Sequence, residues 1–256
     1  MMVLGTYGAG YFGYHYGAWA GVAGALLMGA IGGLIHATAT VVFGVDHIIS
    51  GVAINIIAVG AVQYLASLTF VGLPGGGQTQ SPKLDNVGSI TIGPLSDALG
   101  EVEDQDIFFV SELAAVARAM VTNLSLLVVL AFVLLFVTYW VLWRTSFGLR
   151  LRSTGESPSA AESLGVAVLR YKFVAVLISG AMAGLAGGFL AMVASSNYRD
   201  GQTGGRGYIG LAAMIFGNWR PSGLLAGSGL FGYTQTLGLR QGGTSVHALL
   251  LAAAVL

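Results

Sequence analysis

From Val121 to Trp143 the chain carries no charged side chain. A helix needs about 20 predominantly apolar residues to cross a bilayer. In hydrocarbon the backbone must satisfy its own hydrogen bonds, which a helix does. Gly17 to Phe43 and Phe173 to Ser195 meet the same requirement, and so does Ile48 to Phe70, although Asn55 and Gln63 interrupt it. The first sixteen residues, rich in Gly, Tyr and Phe, read as the outer part of another span. Charged residues make up 9% of the chain, against roughly 25% in a soluble domain whose surface must be hydrated. The expected fold is all-α, a polytopic transmembrane helical bundle forming a single transmembrane domain over residues 1–256.

The pattern changes after Arg206. Tyr208 to Trp219 is apolar but too short to cross alone, and Pro221 follows it. Leu224 to Leu239 is interrupted by glycines. These predict broken or re-entrant helices near the C-terminal end, tolerated only where protein or a water-filled cavity covers the freed backbone groups. His247 to Leu256 is apolar and stops as though a span had been cut. No basic stretch marks a signal peptide at the start.

Charge orients the spans. Residues 144–172 hold Arg144, Arg150, Arg152, Arg170 and Lys172 against Glu156 and Glu162. Residues 71–120 hold seven acidic side chains, among them Glu103 and Asp106, against Lys83 and Arg118. Basic residues near helix ends stay in the cytoplasm. The first segment is therefore expected inside and the second outside, with one helix between them. Pro74, Pro82 and the run Gly75-Gly76-Gly77 suit a solvated outer loop.

Several function classes fall away. Net charge is +0 with a pI near 6.9, so nothing draws the chain to nucleic acid. Cysteine is absent, which removes thiolate metal sites and cysteine nucleophiles; no metal, cofactor or catalytic residue is expected. Buried carboxylates, which ion-driven carriers use, are missing from the spans. Lys83 and Lys172 follow Pro82 and Tyr171 instead of the glycine that a phosphate-binding loop requires. The chain itself is not expected to hydrolyse ATP.

Small residues recur every fourth position at Gly17, Gly21, Ala25, Gly29 and Gly33, and again at Gly180, Gly184 and Gly188. Residues four apart share a helix face, so each series forms a groove for a neighbouring helix. Close packing explains the pattern; a sliding contact during transport is the sharper alternative. His36 is expected as a hydrogen-bonded packing residue and Asp46 as a helix N-cap. Polar residues within apolar helices are candidates for lining a solute pathway: Ser50, Asn55, Gln63 and Asn218. Asn55 and Gln63 lie within about 80° of each other around a helix. Each amide could equally bond a backbone carbonyl on a neighbouring helix.

In the cytoplasmic loop, Ser157 followed by Pro158 is a helix start, and Ser159 with Glu162 offers a capping box. Ala161, Leu164 and Val168 stand at helical spacing on one face. Gly155 is expected to permit a sharp turn before Pro158, and Ala160 and Ala161 are small enough for close docking. Such an amphipathic piece can dock into a partner's groove or lie on the membrane surface.

These residues carry a family resemblance. Arg144-Thr-Ser-Phe-Gly-Leu-Arg-Leu-Arg152, the Gly155-Glu-Ser-Pro158 turn, Ala160-Ala161 and Gly165 resemble the coupling region of ABC importer permeases for simple sugars, nucleosides and branched-chain amino acids. Asp46-His-Ile-Ile-Ser-Gly-Val-Ala-Ile-Asn55, Ile178-Ser-Gly-Ala-Met-Ala-Gly-Leu-Ala-Gly187 and Gly205-Arg-Gly-Tyr-Ile through Phe216-Gly-Asn-Trp-Arg-Pro221 are similar to the same group. The last wording stands nearest the nucleoside and simple-sugar branch. The resemblance implies a permease domain in the plasma membrane of a bacterium or archaeon. It also implies partners: ABC ATPase subunits, a second permease subunit and an extracytoplasmic solute-binding protein. Gly148, Arg150, Arg152, Gly155, Glu156, Pro158, Ala160, Ala161 and Gly165 would couple ATPase motion to the helices. Met1-Met2 resembles the end of a stretch internal to the family pattern, so the chain is expected to start inside that pattern and stop before its final span. A branched-chain amino acid or ribose-type permease is the rival within transport; a non-transporting membrane scaffold is the rival outside it.

Overall fold

A computed structural model describes residues 1–91, 93–94, 97–98, 100, 118 and 122–240. The outer-loop carboxylates from Glu101 to Glu112 and the apolar end His247 to Leu256 lie outside the described residues. The chain forms two compact units, Met1–Gln202 and a second beginning at Thr203.

Within the first unit the helices are α1 (Met2–Tyr16), α2 (Ala18–Ala37), α3 (His47–Thr69), α4 (Leu126–Arg144), α5 (Ser146–Glu156), α6 (Pro158–Ser163) and α7 (Val168–Phe189). Helices α2 and α7 each continue through a π-helical turn, Thr38–Val42 and Leu190–Ala194. Four helices are long and apolar enough to cross a membrane: Ala18–Val42, His47–Thr69, Leu126–Arg144 and Val168–Ala194. They match the four apolar stretches of the sequence, with shifted boundaries. Asn123, with φ 52°, and the two-residue antiparallel ladder Ser89–Ile90 with Leu124–Ser125 hold the chain out of helix until Ser125 caps α4. Helix α7 starts earlier than expected and takes Arg170 and Lys172 into its first turns.

The two glycine series face each other. A Cβ on Gly29 would fall on the backbone of Gly180 and Gly184, and one on Gly33 would meet the Gly180 Cα. One on Gly188 would meet the Ala25 side chain, so α2 and α7 run antiparallel. Helix α1 completes the set: Gly5 lies against Gly184, Gly8 against Gly24, and Gly187 against Met2 and Thr6. Lipid tails are as apolar as the helices, so burial alone does not hold this trio together. Backbones brought into van der Waals contact do. Gly17 departs from its series. It sits at φ 90° in open space, turning the chain from α1 into α2.

Beyond α3 the chain returns over the end of this trio. Ser81 N donates to the Tyr198 carbonyl, Leu84 N to that of Ser196, and Asp200 N to that of Thr79. The segment thus lies beside the one that follows α7. Leu84 and Val87 are buried there with Ala9, Val22, Ala191 and Met192. Both segments therefore lie at one end of this trio.

In the second unit, α8 (Arg206–Phe216) and α9 (Pro221–Arg240) form a helical hairpin. The stretch from Leu224 onward is one uninterrupted helix despite its glycines, which corrects the expected interruption. The break lies before it, where Asn218 and Trp219 take φ of 50° and 58°. Gly217 packs on the backbone of Gly223 and Phe216 on Phe231.

Candidate functional site

Helix α3 is fastened to the trio at both ends. At its start Asp46 Oδ1 accepts from Ile48 N and Ile49 N, as a capping carboxylate does. One turn later the buried Ser50 hydroxyl lies 2.9 Å from Nδ1 of His36 on α2. Ser50 is thereby a packing contact, and His36 is the hydrogen-bonded residue expected. At its far end Val62, Ala66 and Phe70 pack with Tyr7 of α1 and with Tyr198. Tyr7 also donates to Thr69 Oγ1 at 3.5 Å.

Between these fastenings stands Asn55. It lies about 20° around the helix from Val62 and two turns below it, yet Val62 is fully buried and Asn55 is exposed. The face that is closed at Val62 is therefore open at Asn55. Its amide makes no hydrogen bond among the described residues. Gln63 is placed differently. Its Nε2 donates to Asp200 Oδ2 at 2.8 Å, tying α3 to the outer segment after α7. The two amides, about 12 Å apart along the axis, are not brought together. Asn218 lies at the α8–α9 break.

The residue sequence reasoning missed here is Tyr198. It is 1% exposed, tilted against Phe70 and edge-on to Tyr7, and its hydroxyl has no partner among the described residues. Burial, then the charge of Asp200, then Tyr7, push its phenol up to about 12. A tyrosine two residues before an aspartate at the end of an apolar run was the available signal.

At the opposite end, residues 144–172 are nearly all helix. Thr145 Oγ1 caps α5 by accepting from Gly148 N. A Cβ at Gly148 would strike the backbone of Val141 and Leu142, so only glycine lets α5 fold back on α4. Arg152 lies 5.4 Å from the Trp143 ring centre and Arg150 donates to the Tyr171 hydroxyl at 3.3 Å. Both arginines are held within the chain.

Three local expectations are corrected. Gly155 is helical and Glu156 ends α5, so the sharp turn before Pro158 is made by Ser157 in extended conformation. The capping box does not form: α6 begins with Pro158 in its first turn and has no side-chain cap. Helix α6 also ends at Ser163, so Leu164 does not share a face with Val168. Val168 is buried, whereas Leu164 is 83% exposed. Ala161 is turned inward at 3% exposure, Ala160 is exposed, and Gly165 turns the chain at φ 79°. An exposed leucine at the tip of a polar loop is the feature the sequence pattern did not single out.

Residues 1–256 match the family described as branched-chain amino acid transport system / permease component. The chain is 34% identical to the guanosine ABC transporter permease protein NupQ of Bacillus subtilis over 90% of its length and 66% of that protein's. It is 33% identical to the nucleoside ABC transporter permease protein NupC of Lactococcus lactis, over 86% of this chain and 62% of that one. A putative glucose ABC transporter permease protein, TsgC13 of Haloferax volcanii, is 40% identical over 41% of this chain and 32% of its own. The chain thus spans slightly less than two thirds of the first two relatives. No solved structure matches. With the whole length matched and the four apolar spans in place, the chain belongs to the family of branched-chain amino acid transport system permease components.

Proposed function

We propose that this chain is the membrane-spanning permease subunit of an ATP-driven importer in the plasma membrane, and that its solute is a nucleoside. The observation that carries the reading is the 34% identity to a guanosine permease over 90% of the chain. The partial likeness to a glucose permease makes a simple sugar the second reading. ATP hydrolysis belongs to partner ATPase subunits docking at α5 and α6, a second permease subunit completes the pathway, and a solute-binding protein delivers from outside. Asn55, an unbonded amide on an open helix face, lines the route. The docking contact is made by Ala160 and Leu164, four residues apart at the tip of the loop and both exposed. Leu164, 83% exposed at the tip of a polar loop, offers a partner the apolar side chain for such a contact. Ala161, being inside the chain's own packing, is the wrong place to test docking.

The experiment is uptake of labelled guanosine, glucose and leucine by cells carrying the chain with its cognate ATPases and binding protein. Guanosine uptake competed by other nucleosides is the expected result. Uptake of leucine or glucose instead reassigns the solute, and no uptake with no stimulated ATPase activity favours a scaffold. Leu164→Glu should keep the chain in the membrane at normal abundance while ATPase co-purification falls. Unchanged co-purification and uptake would remove Leu164 from the coupling contact.

A further inference from the structure

Two open grooves meet at the cytoplasmic base of α7. One, of about 380 Å³, is walled by Phe147, Arg150, Val166, Arg170 and Tyr171. The other, of about 460 Å³, is walled by Val41, Val42, Leu169, Phe173 and Val174, with Arg170 at its rim. Arg170 and Val174 belong to both. The first sets two guanidinium groups and a phenol among apolar walls; the second is lined by aliphatic and aromatic side chains apart from that shared arginine.

Their order along the membrane is fixed by the helices. Arg170 lies in the first turn of the span Val168–Ala194, and Phe173 and Val174 lie one turn deeper. Val41 and Val42 end the span that arrives from the other side. The charged groove therefore sits at headgroup level and the apolar groove beside the upper acyl chains of the same leaflet. No carboxylate lines either groove. Neither Arg150 nor Arg170 makes an ion pair among the described residues. Arg150 is steered over the groove by its bond to the Tyr171 oxygen, which leaves the Tyr171 proton free to donate outward.

We infer that the paired grooves bind one anionic phospholipid of the cytoplasmic leaflet. Its phosphate lies between Arg150, Arg170 and Tyr171, and an acyl chain lies along Val42, Phe173 and Val174. A guanidinium presents paired donors that match phosphate oxygens, and basic clefts at the cytoplasmic ends of membrane helices are suited to anionic headgroups. Two uncompensated cations favour a net-negative lipid over a zwitterionic one. The inference goes beyond the transport reading and would stand whatever the solute is. The occupant would wedge the π-helical end of α2 against the base of α7, beside the helices that receive the ATPase.

The test uses the purified chain from bilayers of phosphatidylcholine with phosphatidylglycerol, with retained lipid counted by native mass spectrometry. Phosphatidylglycerol should be retained in preference to phosphatidylcholine. The double change Arg150→Gln with Arg170→Gln should lower its retention roughly thirtyfold. Phe173→Trp, which fills the apolar groove and leaves both arginines, should lower it as well, and Arg170→Lys should restore it only in part. Lys172→Gln, on the same turn but lining neither groove, should leave it unchanged. An equal loss with Lys172→Gln would mean diffuse attraction to a basic surface and overturn the site. Displacement of the lipid by inorganic phosphate, with Phe173→Trp silent, would reduce it to an anion site and overturn the lipid assignment. Unchanged lipid retention in the double variant, with ATPase co-purification lost, would assign the arginines to protein docking instead.

Discussion

Tyr198 shows how far a single residue can depart from what its sequence context announces. Its hydroxyl is buried without a partner among the described residues, and an unmade hydrogen bond in a dry site costs more than a missing hydroxyl. Tyr198→Phe should therefore leave thermal stability unchanged or raise it by about 1 kcal/mol. The phenol ionises near 10 in the unfolded chain and near 12 in place. Its contribution is thus fully present below pH 10 and lost as pH rises toward 12, because only the unfolded chain ionises early. Melting in detergent across that range should show a loss that the phenylalanine variant partly lacks. An equal loss in both would show that Tyr198 does not set the alkaline limit. Asp46 was legible in the sequence, since an acidic residue before an apolar run can cap it locally. The Ser50–His36 bond was not, because it depends on how the segment from Thr38 to Asp46 reverses between two helices.

At the scale of elements, the apolar spans and the small-residue grooves were readable because both are properties of one helix at a fixed period. What could not be read was which groove meets which. The backbone contacts show α2 against α7 and α1 against both, and the glycines of α1 completing the hub belong to no single every-fourth series. Gly184→Ala should lower stability by about 1–3 kcal/mol, since its methyl would meet backbone that has nowhere to move. Gly60→Ala, on α3 with open space around it, should be neutral or mildly stabilising through helix propensity. The paired comparison in one detergent is the check; equal effects would show that the close approach is not what holds the trio. Residues 144–165 show the opposite failure. They resemble a known pattern, yet Gly155 is helical and Ser157 makes the turn. Pro158 itself holds Ser157 extended, because its ring clashes with a helical residue before it, and so the turn falls there and not at Gly155.

For the whole molecule, orientation rests on loop charge, and the contacts add which segments share an end. Thr79 to Leu84 and Ser196 to Asp200 are bonded to each other, whereas Arg150 and Tyr171 meet at the other end of α4 and α7. The native chain has no cysteine, so introduced thiols report cleanly. Asp85→Cys should react with an impermeant reagent applied to intact cells, and Ser159→Cys should react only after the membrane is opened. The reverse pattern would invert the molecule and move both the proposed coupling loop and the proposed lipid groove to the outside. Among the described residues, glycines also stand at two extremes with different genetic fates. Any single-base change that alters a glycine codon brings in a side chain of at least one carbon. At Gly51, Gly60, Gly207, Gly210 or Gly229 that carbon enters open space. At Gly5, Gly29, Gly180 or Gly184 it enters another helix's backbone. Random mutagenesis of this gene should therefore find its densest intolerance where α1, α2 and α7 meet backbone to backbone.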